Sequence, residues 1–140
     1  MVRHADAEWS GSLKEGKGHV KVETGALDSS YTFRSRFEGG AETNPEELLG
    51  ASHAACFTMA LSAALTNAGK PPANIKTNAA VTLVPVEGKP TVTRIDLTTQ
   101  ASVPGIDDAA FQQIAAGAKA GCPISRALAG TEIHLDAKLV

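Results

Sequence analysis

The chain has 140 residues, enough to bury one core without cross-links, and no shift in composition marks a boundary, so residues 1–140 are expected to form a single domain. Its 13 basic and 15 acidic residues leave a formal charge of -2 with no basic block or acidic tail. That balance excludes nucleic acid and anionic membrane as partners chosen by charge. The stretch Met1-Val2-Arg3-His4-Ala5-Asp6 lacks the apolar core of a signal peptide, and no apolar run approaches the roughly 20 residues needed to span a bilayer, so a cytoplasmic protein is expected. Two cysteines in a reducing compartment raise redox chemistry, with a pair of buried structural thiols as the plainer alternative.

Residues 7–37 read as a meander of strands. Val20 and Val22 lie on one side of a short alternation, and Tyr31, Phe33 and Phe37 face away from Thr32, Arg34 and Arg36. Gly11 to Gly18 comes close to a phosphate-binding loop but lacks the final Ser or Thr and leads into a strand, so it is expected to be a hairpin turn. After Gly39-Gly40, Asn44-Pro45-Glu46-Glu47 is a helix start: Asn44 can cap, Pro45 suits the first helical position, and Glu47 completes a capping box. The helix is predicted to run to about Asn67, ended by Gly69. Apolar residues on nearly every side predict burial all round.

Beyond Pro71-Pro72, Ile75–Val84 and Val92–Val103 form an expected strand pair. In the second, Thr93, Ile95, Leu97 and Val103 oppose Arg94, Asp96, Gln100 and Ser102, so one face packs and one is wet. A helix is predicted over 107–119, stopped by Gly121. A short one follows from Pro123 to about Ala129, and a last strand alternates Ile133, Leu135 and Leu139 with His134, Asp136 and Lys138. An all-apolar helix of about 23 residues needs cover on every side, more than one chain with six aromatic residues supplies. A homodimer sharing that helix is therefore expected.

Cys56 sits inside the long helix among Ala54, Ala55 and Ala60. Cys122 falls at the expected start of the third helix, where free N–H groups and the helix dipole favour a thiolate. Local physics thus ranks Cys122 as the more acidic thiol, while burial raises Cys56 unless a cation such as Arg34 or Arg36 lies near. A peroxide-reducing thiol needs a thiolate, a cation to hold it, and a carboxylate to fix the guanidinium. Glu46 lies ten residues before Cys56, about 80° round the helix, whereas Glu47 lies about 180° away, so Glu46 is favoured. The same ten residues separate Glu46 from Cys56 by about 15 Å along a straight helix, so a shared site needs a long arginine bridge, a break near Gly50, or a partner chain. His53, one turn before Cys56, invites a metal reading, but His4, His19 and His134 are scattered and there is no Cys-x-x-Cys pair. A satisfied helix histidine is the expectation. Ser52, Ser62 and Ser125 show no Gly-x-Ser-x-Gly elbow for serine hydrolysis.

Asn44-Pro45-Glu46-Glu47-Leu48-Leu49-Gly50-Ala51-Ser52-His53-Ala54-Ala55-Cys56, with Ala120-Gly121-Cys122-Pro123-Ile124-Ser125 far downstream, resembles the OsmC branch of the OsmC/Ohr peroxidases. The likeness extends to Trp9-Ser10-Gly11, Lys17-Gly18, Ser35-Arg36-Phe37-Glu38-Gly39 and Val103-Pro104-Gly105-Ile106-Asp107. It implies an intertwined α+β homodimer, β-sheets packed around long central helices, with active sites at the subunit interface and no metal or flavin. The implied reaction reduces organic hydroperoxides, and hydrogen peroxide less efficiently, to alcohol and water. Under this resemblance Cys56 becomes the sulfenic acid, Cys122 resolves it as a disulfide, Arg36 steadies the thiolate and Glu46 pairs with Arg36, with Glu47 the weaker candidate. That order of the thiols reverses the local ranking. The implied reductant is a dithiol such as a lipoyl protein, and no residue selects among dithiols. A non-catalytic redox sensor or binding protein on the same fold is the alternative, separated from the enzyme by steady-state peroxide turnover.

Overall fold

The computed structural model describes residues 1–140, in the order β1 (Ala5–Ser10), β2 (Lys17–Val22), β3 (Asp28–Tyr31), α1 (Phe33–Phe37), α2 (Pro45–Asn67), β4 (Asn74–Val86), β5 (Lys89–Ser102), α3 (Asp108–Gly121), α4 (Pro123–Ala127) and β6 (Glu132–Leu139). Two compact units, Met1–Leu48 and Leu49–Val140, divide the chain inside α2.

In the first unit, β1, β2 and β3 form an antiparallel sheet, with Trp9 opposite Gly18 and Gly18 opposite Tyr31. The expected hairpin at Gly11–Gly18 is present. The strand expected through Phe37 is not: the chain leaves the sheet at Tyr31 and turns into α1. The cause is local capping. Thr32 is an extended N-cap whose hydroxyl accepts from the Ser35 amide at 3.0 Å, and Ser35 Oγ accepts in return from the Thr32 amide at 2.9 Å. This reciprocal box satisfies two N–H groups that a helix start leaves bare, and it outweighs an alternation of aromatic and polar residues that suits a strand equally well. No large apolar side chain of this unit is fully buried.

The start of α2 follows its sequence signals. Asn44 Oδ1 accepts from the Glu47 amide at 2.9 Å, Pro45 occupies the first turn, and Glu46 and Glu47 sit at the positive helix end. The return bond expected from the Glu47 carboxylate is not made. At the far end, Gly69 takes φ +72° and the Lys70 and Gly69 amides close onto the Leu65 and Thr66 carbonyls, the paired bonds of a glycine-terminated helix.

In the second unit, β4 and β5 pair antiparallel and β5 and β6 parallel. The alternation expected in β5 holds: Ile95, Leu97, Thr99 and Ala101 are buried while Arg94, Thr98 and Gln100 are exposed. Phe57, Leu61 and Leu65 of α2 and Phe111, Ala115 and Ala118 of α3 complete that core. Asp107 caps α3 through the Ala110 amide at 2.9 Å.

The single chain leaves part of α2 uncovered, and one expectation for this helix is corrected. In the single chain its buried side is one stripe, Gly50, His53, Phe57, Leu61 and Leu65, and Ala51, Ala55 and Met59 on other faces are exposed. A lone sheet covers one side of a helix, so the periodicity of burial follows the packing partner rather than the composition. By length and composition α2 also reaches what a bilayer span requires. Its serine, threonine and histidine residues interrupt the apolar run and hid this from a residue-by-residue reading. The stripe is nonetheless a core contact.

Candidate active site

Cys56 and Cys122, 66 positions apart in sequence, meet in the second unit as free thiols. Cys122 ends α3 and precedes Pro123 at the start of α4, so the chain turns sharply at this residue. Burial pushes the Cys122 thiol up, but the Ser125 amide, the Cys56 thiol, the Ser125 hydroxyl and the Ile124 amide all favour its thiolate and bring it below the ordinary thiol range. Cys56 is held above that range. Burial raises it, the Ile124 amide offsets part of this, and the neighbouring Cys122 charge raises it again. The local ranking read from sequence, Cys122 the more acidic, is the one this chain displays. Access runs the other way, for Cys122 is fully buried and Cys56 is half-buried.

His53 lies one turn before Cys56 and is fully buried. Its Nε2 sits 2.8 Å from Ser125 Oγ, and its Nδ1 has no hydrogen-bond partner. Burial lowers its pKa, so the ring is neutral near pH 7. Sequence reasoning treated His53 and Ser125 separately and missed their contact. A signal was available: each stands three residues after or before a cysteine, His53 before Cys56 and Ser125 after Cys122, the spacing that puts two side chains on one helix face.

Arg36 and Glu46, the other expected pair, meet in the first unit. Arg36 Nη2 donates to Glu46 Oε1 at 2.8 Å, and Nε lies 3.2 Å from both carboxylate oxygens. Here Arg36 stands on a helix, and not on the strand expected. Ser35 anchors that helix to the start of α2, donating from Oγ to the Thr43 carbonyl at 2.8 Å and accepting at its own carbonyl from Asn44 Nδ2 at 3.2 Å. Phe37 backs the guanidinium, whose carbon lies 5.2 Å from the ring centre. Glu47 takes no part in the pair. α2 runs from Pro45 to Asn67 without interruption, so no break is present near Gly50.

A family model described as OsmC-like protein matches residues 38–138. The chain belongs to the OsmC-like family. It is 49% identical over 138 residues to Peroxiredoxin OsmC of Escherichia coli (strain K12), covering 98% of this chain and 96% of that protein, and equally so to Peroxiredoxin OsmC of Shigella flexneri. Among solved structures, an organic hydroperoxide resistance protein from Elizabethkingia anophelis aligns with TM-score 0.80 at 24% identity over 100% of this chain and 99% of its own. OhrB of Bacillus subtilis, an organic hydroperoxide resistance protein, aligns with TM-score 0.71 at 25% identity over 98% of each chain. The two-sheet α+β fold of this OsmC-like chain is the one these relatives share.

Proposed function

We propose that this chain is a thiol peroxidase that reduces organic hydroperoxides, and hydrogen peroxide less efficiently, to alcohol and water. The observation that carries the reading is the contact between a half-buried thiol and a fully buried one at the start of α4. The name peroxiredoxin borne by relatives at 49% identity supports it.

Access assigns the roles. A peroxide reaches Cys56 more readily than buried Cys122, so Cys56 is the attacking sulfur although its thiol is the less acidic in the single chain. Its thiolate attacks one peroxide oxygen, the O–O bond breaks, and the leaving alkoxide takes a proton to become the alcohol, leaving Cys56 as the sulfenic acid. Cys122 attacks the Cys56 sulfur, and hydroxide departs as water once protonated. A dithiol, for which a lipoyl protein is our candidate, then exchanges with the disulfide and restores both thiols. No metal or flavin enters this scheme.

Cys56 needs a cation, and Arg36 held by Glu46 is the one we assign. Ten residues of an ideal helix rise about 15 Å, and from that spacing in the sequence we place Arg36 and Glu46 of the partner subunit at each Cys56 in a homodimer. Two features support pairing: the first unit has no fully buried large apolar side chain of its own, and α2 leaves Ala51, Ala55 and Met59 uncovered. We place the protein in the cytoplasm, where reductants keep both thiols available.

The test is peroxide turnover with a lipoyl dithiol, wild type beside Cys56→Ser. Turnover by wild type alone, with a Cys56–Cys122 disulfide found by mass spectrometry after one equivalent of hydroperoxide, is the expected result. Two thiols that remain alkylatable after peroxide would overturn the reading.

A further inference from the structure

We propose that His53 and Ser125 form a donor chain onto Cys122, in which His53 Nε2–H donates to Ser125 Oγ and the Ser125 hydroxyl is thereby turned onto the resolving sulfur, setting the rate at which the disulfide closes. The inference rests on the peroxidase reading above, and it adds two positioning residues to that site.

The argument begins with the ring. His53 is fully buried, with Nε2 2.8 Å from Ser125 Oγ and Nδ1 facing no partner. A neutral imidazole carries one N–H, and either placement leaves Nδ1 unsatisfied. A buried N–H without an acceptor is the rarer and more costly arrangement than a bare ring lone pair, so the proton belongs on Nε2, where it meets Ser125 Oγ. The serine oxygen then acts as acceptor towards His53, and its own proton needs another acceptor. The hydroxyl makes no second hydrogen bond to nitrogen or oxygen, and Cys122, three residues before it at the start of α4, is the acceptor we assign. The amide and the hydroxyl of Ser125 both favour the Cys122 thiolate. Relay geometry of this kind fixes a hydroxyl that would otherwise rotate.

The other groups around Cys122 do not compete. The Cys56 thiol of α2 also favours the Cys122 thiolate while it is reduced, and the Ile124 amide is common to both sulfurs. Of the nearby cations, Lys119 of α3 is tied to the Ile133 carbonyl at 3.1 Å and Arg126 of α4 is exposed. The Cys56 thiol is consumed when peroxide oxidises it, so at the closure step the donor chain is the side-chain device left to hold this sulfur as thiolate. In the forward step the Cys122 thiolate forms the S–S bond as hydroxide leaves Cys56. In the reverse exchange the incoming dithiol attacks Cys56 and the Cys122 thiolate is the leaving group, which the same donors stabilise.

The consequence is a crossover that a merely structural role does not produce. Removing the hydroxyl in Ser125→Ala is expected to raise the Cys122 pKa by about one unit, the worth of a hydrogen bond to a charged group. Well below both pKa values the thiolate then falls about tenfold while each thiolate becomes about threefold more nucleophilic, so closure slows about threefold. Above both pKa values only the second effect survives, and the variant closes about threefold faster. Reduction of its disulfide slows at all pH values.

The experiment has two arms. In the first, thiolate absorbance is titrated in Cys56→Ser and in Cys56→Ser carrying Ser125→Ala, His53→Leu or His53→Gln, with no peroxide present. Ser125→Ala and His53→Leu should raise the Cys122 pKa, and His53→Gln, whose amide N–H can take the place of Nε2–H, should restore it. A fall in His53→Leu would mean that Ser125 donates to His53, and would overturn the proposal, as would no shift in Ser125→Ala. In the second arm, closure after a single equivalent of cumene hydroperoxide is followed against pH in the two-cysteine protein, with Cys56 oxidation as a separate phase. A crossover confined to closure supports the chain, and equal slowing of both phases at every pH overturns it. If wild type consumes no peroxide while Ser125→Ala still shifts Cys122, the peroxidase reading falls and the donor chain stands.

Discussion

Arg36 grips Glu46 side-on, Nη2 at 2.8 Å and Nε at 3.2 Å, across the turn that joins α1 to α2. The pair is charge-assisted, and the Glu46 side chain is only 14% exposed, so its geometry is fixed before any substrate arrives. A fixed guanidinium is what a peroxide-attacking sulfur requires. Glu46→Gln keeps the shape and loses the charge, and is expected to slow the peroxide step about tenfold, while Arg36→Lys loses the fork and should slow it by more. Rapid-mixing measurement of peroxide loss in a single turnover reads both. Thermal stability should move little, because a partly exposed pair contributes modestly to folding.

Whether that guanidinium acts within one chain or across two is decided by mixing. In a hybrid of one Arg36→Ala subunit and one Cys56→Ser subunit, our assignment leaves one intact site: Cys56 of the first with Arg36 of the second. Activity should reappear when two individually inactive variants are co-expressed. A site closed within one chain predicts a dead hybrid.

The uncovered face of α2 yields a prediction of its own. Met59 is 74% exposed, flanked one turn earlier by exposed Ala55. Ala55→Glu places a charge on a face that a homodimer would bury, where an unpaired carboxylate costs several kcal/mol, on the order of the whole gain from a small apolar contact. Sedimentation should show wild type at twice the chain mass and the variant shifted towards the monomer, with peroxide turnover lost in parallel. Wild type sedimenting as a monomer would remove the shared site.

Much of this architecture is readable before any coordinates. Asn44-Pro45 and Gly69 bracket α2 because caps depend on three or four adjacent residues, and β5 alternates because one face of its sheet is covered. Phe33 to Phe37 reads as a strand and folds as a helix because five residues of alternating character satisfy both, and only the Thr32–Ser35 box chooses. Cys56 and Cys122 are visible as types. Their contact depends on β4, β5 and α3 returning the chain across 66 positions, which no local pattern encodes. His53 with Ser125 is hidden for the same reason, with only the matched spacing from each cysteine as a hint.

Packing in the first unit rests on a close approach at Gly18. A Cβ there would lie 2.4 Å from Tyr31 Cζ and 2.7 Å from Trp9 Cε3. The two rings, 5.4 Å apart, close over the bare backbone of β2, and the Tyr31 hydroxyl donates to the Glu8 carbonyl at 3.2 Å. Gly18→Ala must push both rings aside, and overpacking of this kind costs about 1–3 kcal/mol. Denaturant titration followed by Trp9 fluorescence should show the loss, while the Cys122 titration in the other unit stays in place. An unchanged midpoint would show that the rings yield freely.

The buried imidazole also makes stability depend on pH, with a definite sign. His53 is neutral in the native chain because burial lowers its pKa below the ordinary value of 6.5. The unfolded chain takes up a proton at this residue as pH falls through about 6.5, and the native chain does so only further down. Above 6.5 both states are neutral and the stability is complete. Between that value and the lowered native one, the unfolded state binds more protons, and stability falls by up to about 1.4 kcal/mol per pH unit. Substitution by glutamine removes the titrating group while keeping an amide near Ser125. Denaturant midpoints for wild type should therefore decline from pH 7 to pH 5 more steeply than those of His53→Gln, the difference isolating His53 from the other histidines. Parallel declines would mean that His53 takes up its proton as readily in the native chain as in the unfolded one, and the donor direction assigned to Nε2 would then have to be redrawn.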